Sequence, residues 1–299
     1  MNDSPAGWQQ LDVLVPGAAA ERHGDALFAA GALAVTLSDA GDNPVLEPPP
    51  GETPLWERVC LTGLFAGDCD RAAVWLQFAA ALLPEPVPAA HWSELGERPW
   101  QELWREHFRP HHCGGRLWIC PSWCEPPQPE AVNLRLDPGL AFGTGDHPTT
   151  ALCLEWLAAE PPRGARVLDF GCGSGILAIA ACLLGCAQAE AVDIDPQALT
   201  ATRANAERNG IGPEQLRITG PEGLDAGGRD VILANILANP LIALAPRIAA
   251  LCAPGGRLCL SGILESQGRD VRDAYAPWFD FAPAVARESW VRLTGRKVR

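Results

Sequence analysis

The sharpest chemical signal in the chain is Val167-Leu168-Asp169-Phe170-Gly171-Cys172-Gly173-Ser174-Gly175. An apolar strand runs into three glycines and then directly into a helix. The backbone can therefore turn tightly and approach a ligand beside the helix N-terminus. The dinucleotide fingerprint needs a further glycine three positions after the second, and this chain has Ile176 there. The G-x-G-x-G spacing instead predicts S-adenosylmethionine, which lacks a pyrophosphate and whose methionyl and ribose parts such a loop contacts. Asp193 ends the next strand, about twenty residues beyond the loop, where a carboxylate can accept both ribose hydroxyls. Its neighbour Asp195 reads as the cap of the following helix.

Asn235 opens Asn235-Ile236-Leu237-Ala238-Asn239-Pro240, directly after the fourth strand. In a doubly wound sheet that position faces the transferred group, and an amide or neighbouring carbonyl there can accept hydrogen bonds from an amine. The alternative is a polar cap on the helix expected from Leu241, a duty better suited to Asn239. Upstream, Asp137 to Thr150 (DPGLAFGTGDHPTT) is a glycine-punctuated loop entering a helix, placed to cover a ligand as a lid. Phe142 could wall the pocket, and Asp146 reads as the N-cap of that helix. His147, next to the helix-starting Pro148, is as readily structural as a general base. His107, His111, His112, Cys113, Cys120 and Cys124 carry metal-capable atoms, but neither a C-x-x-C pair nor zinc-finger spacing appears, so no metal is expected. Cys182 and Cys186 lie on one helix face and read as core.

These residues need a scaffold. From residue 148 onward helices alternate regularly with buried strands, at Arg166 to Phe170, Glu190 to Val192, Leu216 to Thr219, Asp230 to Ala234 and Arg257 to Ser261. Repeated units of this kind predict a Rossmann-like, doubly wound parallel sheet, with Ser289 to Thr294 adding a further strand. The first hundred residues read strand-helix-strand-strand-helix-strand, the plan of a small α+β ferredoxin-like domain. The expected division is a first domain over 1–95, a linker helix (Trp100 to Phe108) and proline-rich connection over 96–130, and a catalytic domain over 131–299. The prolines at 44–54 read as a turn.

Composition narrows the partners. The chain has 299 residues, a formal charge of −13 and 47% hydrophobic residues, enough for two cores. So acidic a chain disfavours sequence-specific nucleic-acid binding and favours a basic partner. Its sole lysine is Lys297. With no export signal, no apolar run long enough to span a bilayer and an odd number of cysteines (11), the expectation is a cytoplasmic protein with reduced thiols, away from membranes and monomeric.

DPGLAFGTGDHPTT, DFGCGSGILAIAA, DIDPQA, NAERNG, NILANPL, LSGIL and the terminal LTGRK together resemble the ribosomal protein L-eleven methyltransferase (PrmA) family. The likeness extends through LEPPPGETPLW and RLWICPSW to essentially the whole chain. It implies S-adenosylmethionine-dependent N-methylation of lysine side chains and the α-amino group of one large-subunit ribosomal protein, which the first domain would recognise. By motif position it places cofactor contacts on Thr150, Gly171, Asp193 and Asn235. The glycine turn adds Gly173, and Asn235 is the candidate catalytic residue. Two positions depart from the pattern: Asp146 where the family commonly has Thr, and Asn239 where it has Gly. The first adds negative charge beside the loop, with a tuned cofactor affinity as the expected effect. The alternatives are an N-methyltransferase of another protein or a small amine, or a nicotinamide-dependent oxidoreductase.

Overall fold

The computed structural model describes residues 7–41, 54–95, 108–137, 143 and 145–298. The chain divides into two compact units, Met1–Trp100 and Gln101–Arg299.

In the first unit β1 (Trp8–Pro16), α1 (Ala20–Ala29), β2 (Ala34–Asp39), β3 (Arg58–Ala66), α2 (Arg71–Leu82) and β4 (Ala90–Leu95) follow in the expected order. The antiparallel sheet runs β2-β3-β1-β4. Alternate residues Leu11, Val13 and Val15 of β1 and Val59, Leu61 and Phe65 of β3 are buried, as a half-covered sheet requires. Leu27 of α1 and Val74, Phe78 and Leu82 of α2 complete that core. Asp70 starts α2 by accepting from the Ala72 and Ala73 N–H groups at 2.9 and 3.2 Å. The proline-rich turn at 44–54 and the helix expected over 100–108 fall almost wholly outside the described residues.

The second unit opens with a three-stranded sheet of β5 (His111–His112), β6 (Leu117–Cys120) and β7 (Val132–Arg135). Cys113, Leu117, Ile119 and Leu134 carry it into the unit's main core, so this part of the proline-rich connection packs as part of the second unit. Next come α3 (Pro148–Ala159), β8 (Arg166–Phe170), α4 (Ile176–Leu183), β9 (Gln188–Val192), α5 (Pro196–Arg208), β10 (Leu216–Thr219), β11 (Arg229–Asn235), α6 (Ala238–Leu251) and β12 (Cys252–Leu264). The chain ends with α7 (Gly268–Tyr275), β13 (Phe279–Phe281), β14 (Val285–Arg287) and β15 (Trp290–Lys297).

The large sheet runs β10-β9-β8-β11-β12-β15-β13, with β14 also on β15. Its strands β8 to β12 are parallel, and β15 is antiparallel to its neighbours. The period of two sends neighbouring side chains to opposite faces. Val167, Val231, Leu233 and Cys259 meet α3, α4 and α5, whereas Leu168, Ile232, Ala234, Leu258 and Leu260 meet α6 and α7. Both faces are covered, which is why these strands read as continuous apolar runs. Lys297, at the end of β15, donates to the Ala249 and Cys252 carbonyls at 2.7 Å each, closing the C-terminal end of α6.

Two expected caps are corrected. His147, not Asp146, caps α3, its Nδ1 accepting from the Thr149 N–H at 3.3 Å. Proline prefers the first helical position, so Pro148 fixes the cap one residue later than expected. Asp146 instead faces His111 at 3.4 Å. Likewise α6 begins at Ala238, after Leu237 and without a side-chain cap, so Asn239 lies inside the first turn. Pro240 is tolerated there because first-turn N–H groups lack helical partners in any case. Asp195 caps α5 as expected, accepting from Gln197 N–H at 2.8 Å.

Candidate functional site

A cavity of about 520 Å³ opens at the C-terminal ends of β8, β9, β11 and β12. Gly171, Gly173, Asp193 and Asn235 line it together, as does His147. Thr150 does not line it; fully buried in the first turn of α3, it stands behind Asn235. Phe142 and most of the glycine-punctuated loop lie outside the described residues. Of that loop's described part, Gly143 is tied to the glycine turn, its carbonyl accepting from Ser174 Oγ at 2.6 Å.

The glycine turn is shaped for close approach. Gly171 has φ +78°, and a Cβ there would come within 2.3 Å of Ile236 Cγ2. Asp193 holds this turn from the next strand: Oδ2 accepts from the Gly173 N–H at 2.9 Å and Oδ1 from the Asp195 N–H at 3.0 Å. Each carboxylate oxygen keeps a further lone pair for a hydroxyl. Asp193 therefore positions the loop and still presents acceptors to a vicinal diol.

Asn235 is committed in direction. Its Nδ2 donates to Thr150 Oγ1 at 3.1 Å, so Oδ1 points the other way. That oxygen is buried and finds no hydrogen-bond partner among the described residues. An unpaired buried acceptor costs about 1–3 kcal/mol, a cost that a substrate donor reaching Oδ1 by a small shift of the Asn235 wall would relieve. Behind this pair, Ser261 Oγ donates to the Thr149 carbonyl at 3.0 Å. Gly262, at φ +81°, lets β12 press against the Ile236 backbone, where a Cβ would meet the carbonyl oxygen at 2.4 Å. The remaining wall is largely apolar, including Ile194, Pro221, Leu244 and Trp290.

His147 is engaged in capping: its Nδ1 accepts the Thr149 N–H at 3.3 Å and lies 2.8 Å from Thr149 Oγ1, and burial lowers its pKa from the usual imidazole value. Trp290 meets the ring edge-on at 5.2 Å. Ile194, Pro221, Ser261, Gly262 and Trp290 were not singled out as site residues from the sequence. Ile194 could have been found as the residue following a strand-end carboxylate. Trp290 had no local signal, because only the fold brings β15 to the cavity.

Asp169 lies beneath the turn, wholly buried, with Oδ2 accepting from the Ala178 N–H at 3.0 Å and Oδ1 without a partner among the described residues. Burial raises its pKa to about 7. Because the native pKa is raised, the folded state holds a proton that the unfolded chain releases. This contribution is intact below the unfolded value and is lost as pH rises through the folded one. The unfolding free energy of the ligand-free protein is expected to fall by about 2 kcal/mol from about pH 5 to pH 7.5, and Asp169→Asn to remove most of that slope. Denaturant titrations of both proteins across this range check it; equal slopes would refute the buried neutral carboxyl.

A family model described as ribosomal protein L11 methyltransferase (PrmA) matches residues 7–298. The chain is 50% identical over 292 residues to the ribosomal protein L11 methyltransferase of Cellvibrio japonicus (strain Ueda107), covering 98% of this chain and 99% of that protein. It is 51% identical over 290 residues to the protein of the same name from Pseudomonas paraeruginosa (strain PA7), covering 97% and 98%. Among solved structures, the ribosomal protein L11 methylase from Lactobacillus delbrueckii subsp. bulgaricus aligns with a TM-score of 0.59 at 32% identity, covering 64% of this chain and 100% of that one.

Proposed function

The chain belongs to the ribosomal protein L11 methyltransferase (PrmA) family, and we propose that it methylates lysine side chains and the α-amino group of L11, a large-subunit ribosomal protein. The family is S-adenosylmethionine-dependent, and membership removes the nicotinamide oxidoreductase alternative. The observation that carries the reading is Asn235, which lines a cavity beside the glycine turn and whose buried Oδ1 has no partner among the described residues. The site fits the cofactor: Gly171 and Gly173 line the cavity without side chains, and Asp193 beside them presents acceptors for the ribose diol.

When bound, S-adenosylmethionine supplies the methyl group. The chain's residues prepare the acceptor nitrogen. A free lysine amine has a pKa of about 10.4, so it must lose a proton before its lone pair can attack. The apolar wall disfavours the ammonium form. Asn235 Oδ1 then accepts an amine N–H and aims the lone pair, while Thr150 keeps the amide from rotating. Orientation of this kind contributes up to about 7–11 kcal/mol toward a barrier. Gly171 and Gly173 would admit the methionyl part, and Asp193 would hold the ribose.

The charge of −13 suits a basic substrate and would steer it without attracting competing RNA. No described helix is long and apolar enough to cross a membrane. We place the protein in the cytoplasm as a monomer that meets L11 before or during assembly. Incubation of the protein with labelled S-adenosylmethionine and ribosomal proteins from cells lacking this enzyme tests the substrate. Label mapped to L11 amines is the expected result. Label on another protein, or on small amines alone, would refute the substrate assignment.

A further inference from the structure

The chain carries 11 cysteines, all as free thiols, and two pairs have their sulfurs in contact. Cys153 and Cys259 lie 3.8 Å apart but are wholly buried, out of reach of any dissolved reagent. Cys182 and Cys186 lie 3.9 Å apart and are both partly exposed. Their approach is built by the end of α4. Gly185, at φ +94°, turns the chain back, its N–H bonds the Cys182 carbonyl at 3.0 Å, and the Cys186 N–H bonds the Ala181 carbonyl at 3.1 Å. These are the two backbone bonds of a Schellman turn. The turn folds Cys186 over Cys182, whatever else the protein does. The pair sits at the opposite end of α4 from the glycine turn that enters the candidate site.

We propose that Cys182 and Cys186 form a dithiol site that reacts with small-molecule disulfides of the glutathione class and closes to an intramolecular disulfide. In the neutral pair the Cys186 S–H donates to Cys182 Sγ and the Cys182 S–H to the Gln215 carbonyl at 3.8 Å. When one thiol ionises its neighbour donates to the thiolate, which eases the first ionisation, at Cys186, and opposes the second, at Cys182. With the sulfurs already in contact, the first thiolate of the pair is the attacking group. Its sulfur bonds to one sulfur of the small disulfide, whose S–S bond breaks and expels a thiolate. Cys182, giving its proton to solvent or to that thiolate, then attacks the Cys186 sulfur and expels the second small thiol. The protein loses two electrons and two protons overall, and the small disulfide becomes two thiols. No sulfur needs to travel far, because closure shortens an existing contact toward the S–S bond length of about 2.0 Å.

The test is oxidation of the folded, full-length protein with oxidised glutathione, followed by thiol counting, intact mass and peptide mapping after chymotryptic cleavage. The expected result is loss of two thiols, a mass lower by two hydrogens and a 182–186 cross-link. These two should be consumed at least about tenfold faster than the partly exposed Cys60 and Cys69, which have no thiol neighbour to supply a thiolate. In Cys182→Ser, Cys186 is expected to stop at the mixed disulfide, and the mass should rise by one glutathionyl group. Methyl transfer and cofactor affinity are expected to stay within about twofold of the reduced protein, given the distance from the site. Thiols 182 and 186 persisting while others oxidise would overturn the proposal, as would a wild-type mixed disulfide that never closes.

Discussion

Asn235→Ala is expected to lower the single-turnover rate of methyl transfer to L11 by about a hundredfold or more, the scale seen when one preorganised polar group is removed from a reacting centre. The substitution removes the Oδ1 that orients the amine and the Nδ2 that Thr150 fixes in place. Its structural cost should be small. The protein loses one hydrogen bond but also an unpaired buried acceptor, and these are each worth about 1 kcal/mol with opposite signs. A melting temperature close to wild type, with a rate far below it, would separate chemistry from folding. Thr150→Val tests the same arrangement from behind: the amide loses its anchor but keeps its acceptor, so a smaller loss of rate is expected. Full turnover by Asn235→Ala with undiminished cofactor affinity would refute the role.

Asp193→Ala should act on the other substrate. Its carboxylate offers charged acceptors to a ribose diol while also fixing the Gly173 and Asp195 N–H groups. Hydrogen bonds to charged groups contribute about 1.5–3 kcal/mol each, so two of them correspond to at least about a hundredfold in the dissociation constant of S-adenosylhomocysteine. Calorimetry would measure this directly. In steady state the loss should appear as a higher KM for the methyl donor, with kcat largely recovered at saturation. A dissociation constant within a few-fold of wild type would exclude ribose binding by Asp193.

The residues behind both predictions were legible because their signals are local. A strand, three glycines and a helix are contiguous from Val167 to Ile179, and Asp193 and Asn235 each end a strand of the same parallel sheet. The ferredoxin-like order was legible for a similar reason: alternation in Trp8–Pro16 and Arg58–Ala66 is a period-two pattern that survives without tertiary context. What stayed hidden depends on distant chain. β5, β6 and β7 are two to four residues long, too short to carry a periodic pattern, and exist because they pair with one another. Trp290 and Gly262 reach the cavity only through the pairing of β12 with β15. The cap at His147 was missed for a smaller reason. Aspartate is the better capping residue in general, but the proline after His147 decides the position.

Lys297 bears on how the enzyme can be measured. It is the chain's only lysine, and its ammonium group is held by two carbonyls at the C-terminal end of α6. Arginine supplies the rest of the basic charge, and a guanidinium stays protonated where an amine could be deprotonated and alkylated. The enzyme's own side chains thus offer almost no competing amine. Methyl-lysine recovered from an acid hydrolysate of a reaction mixture therefore counts turnover on the added substrate, with little self-labelling to subtract.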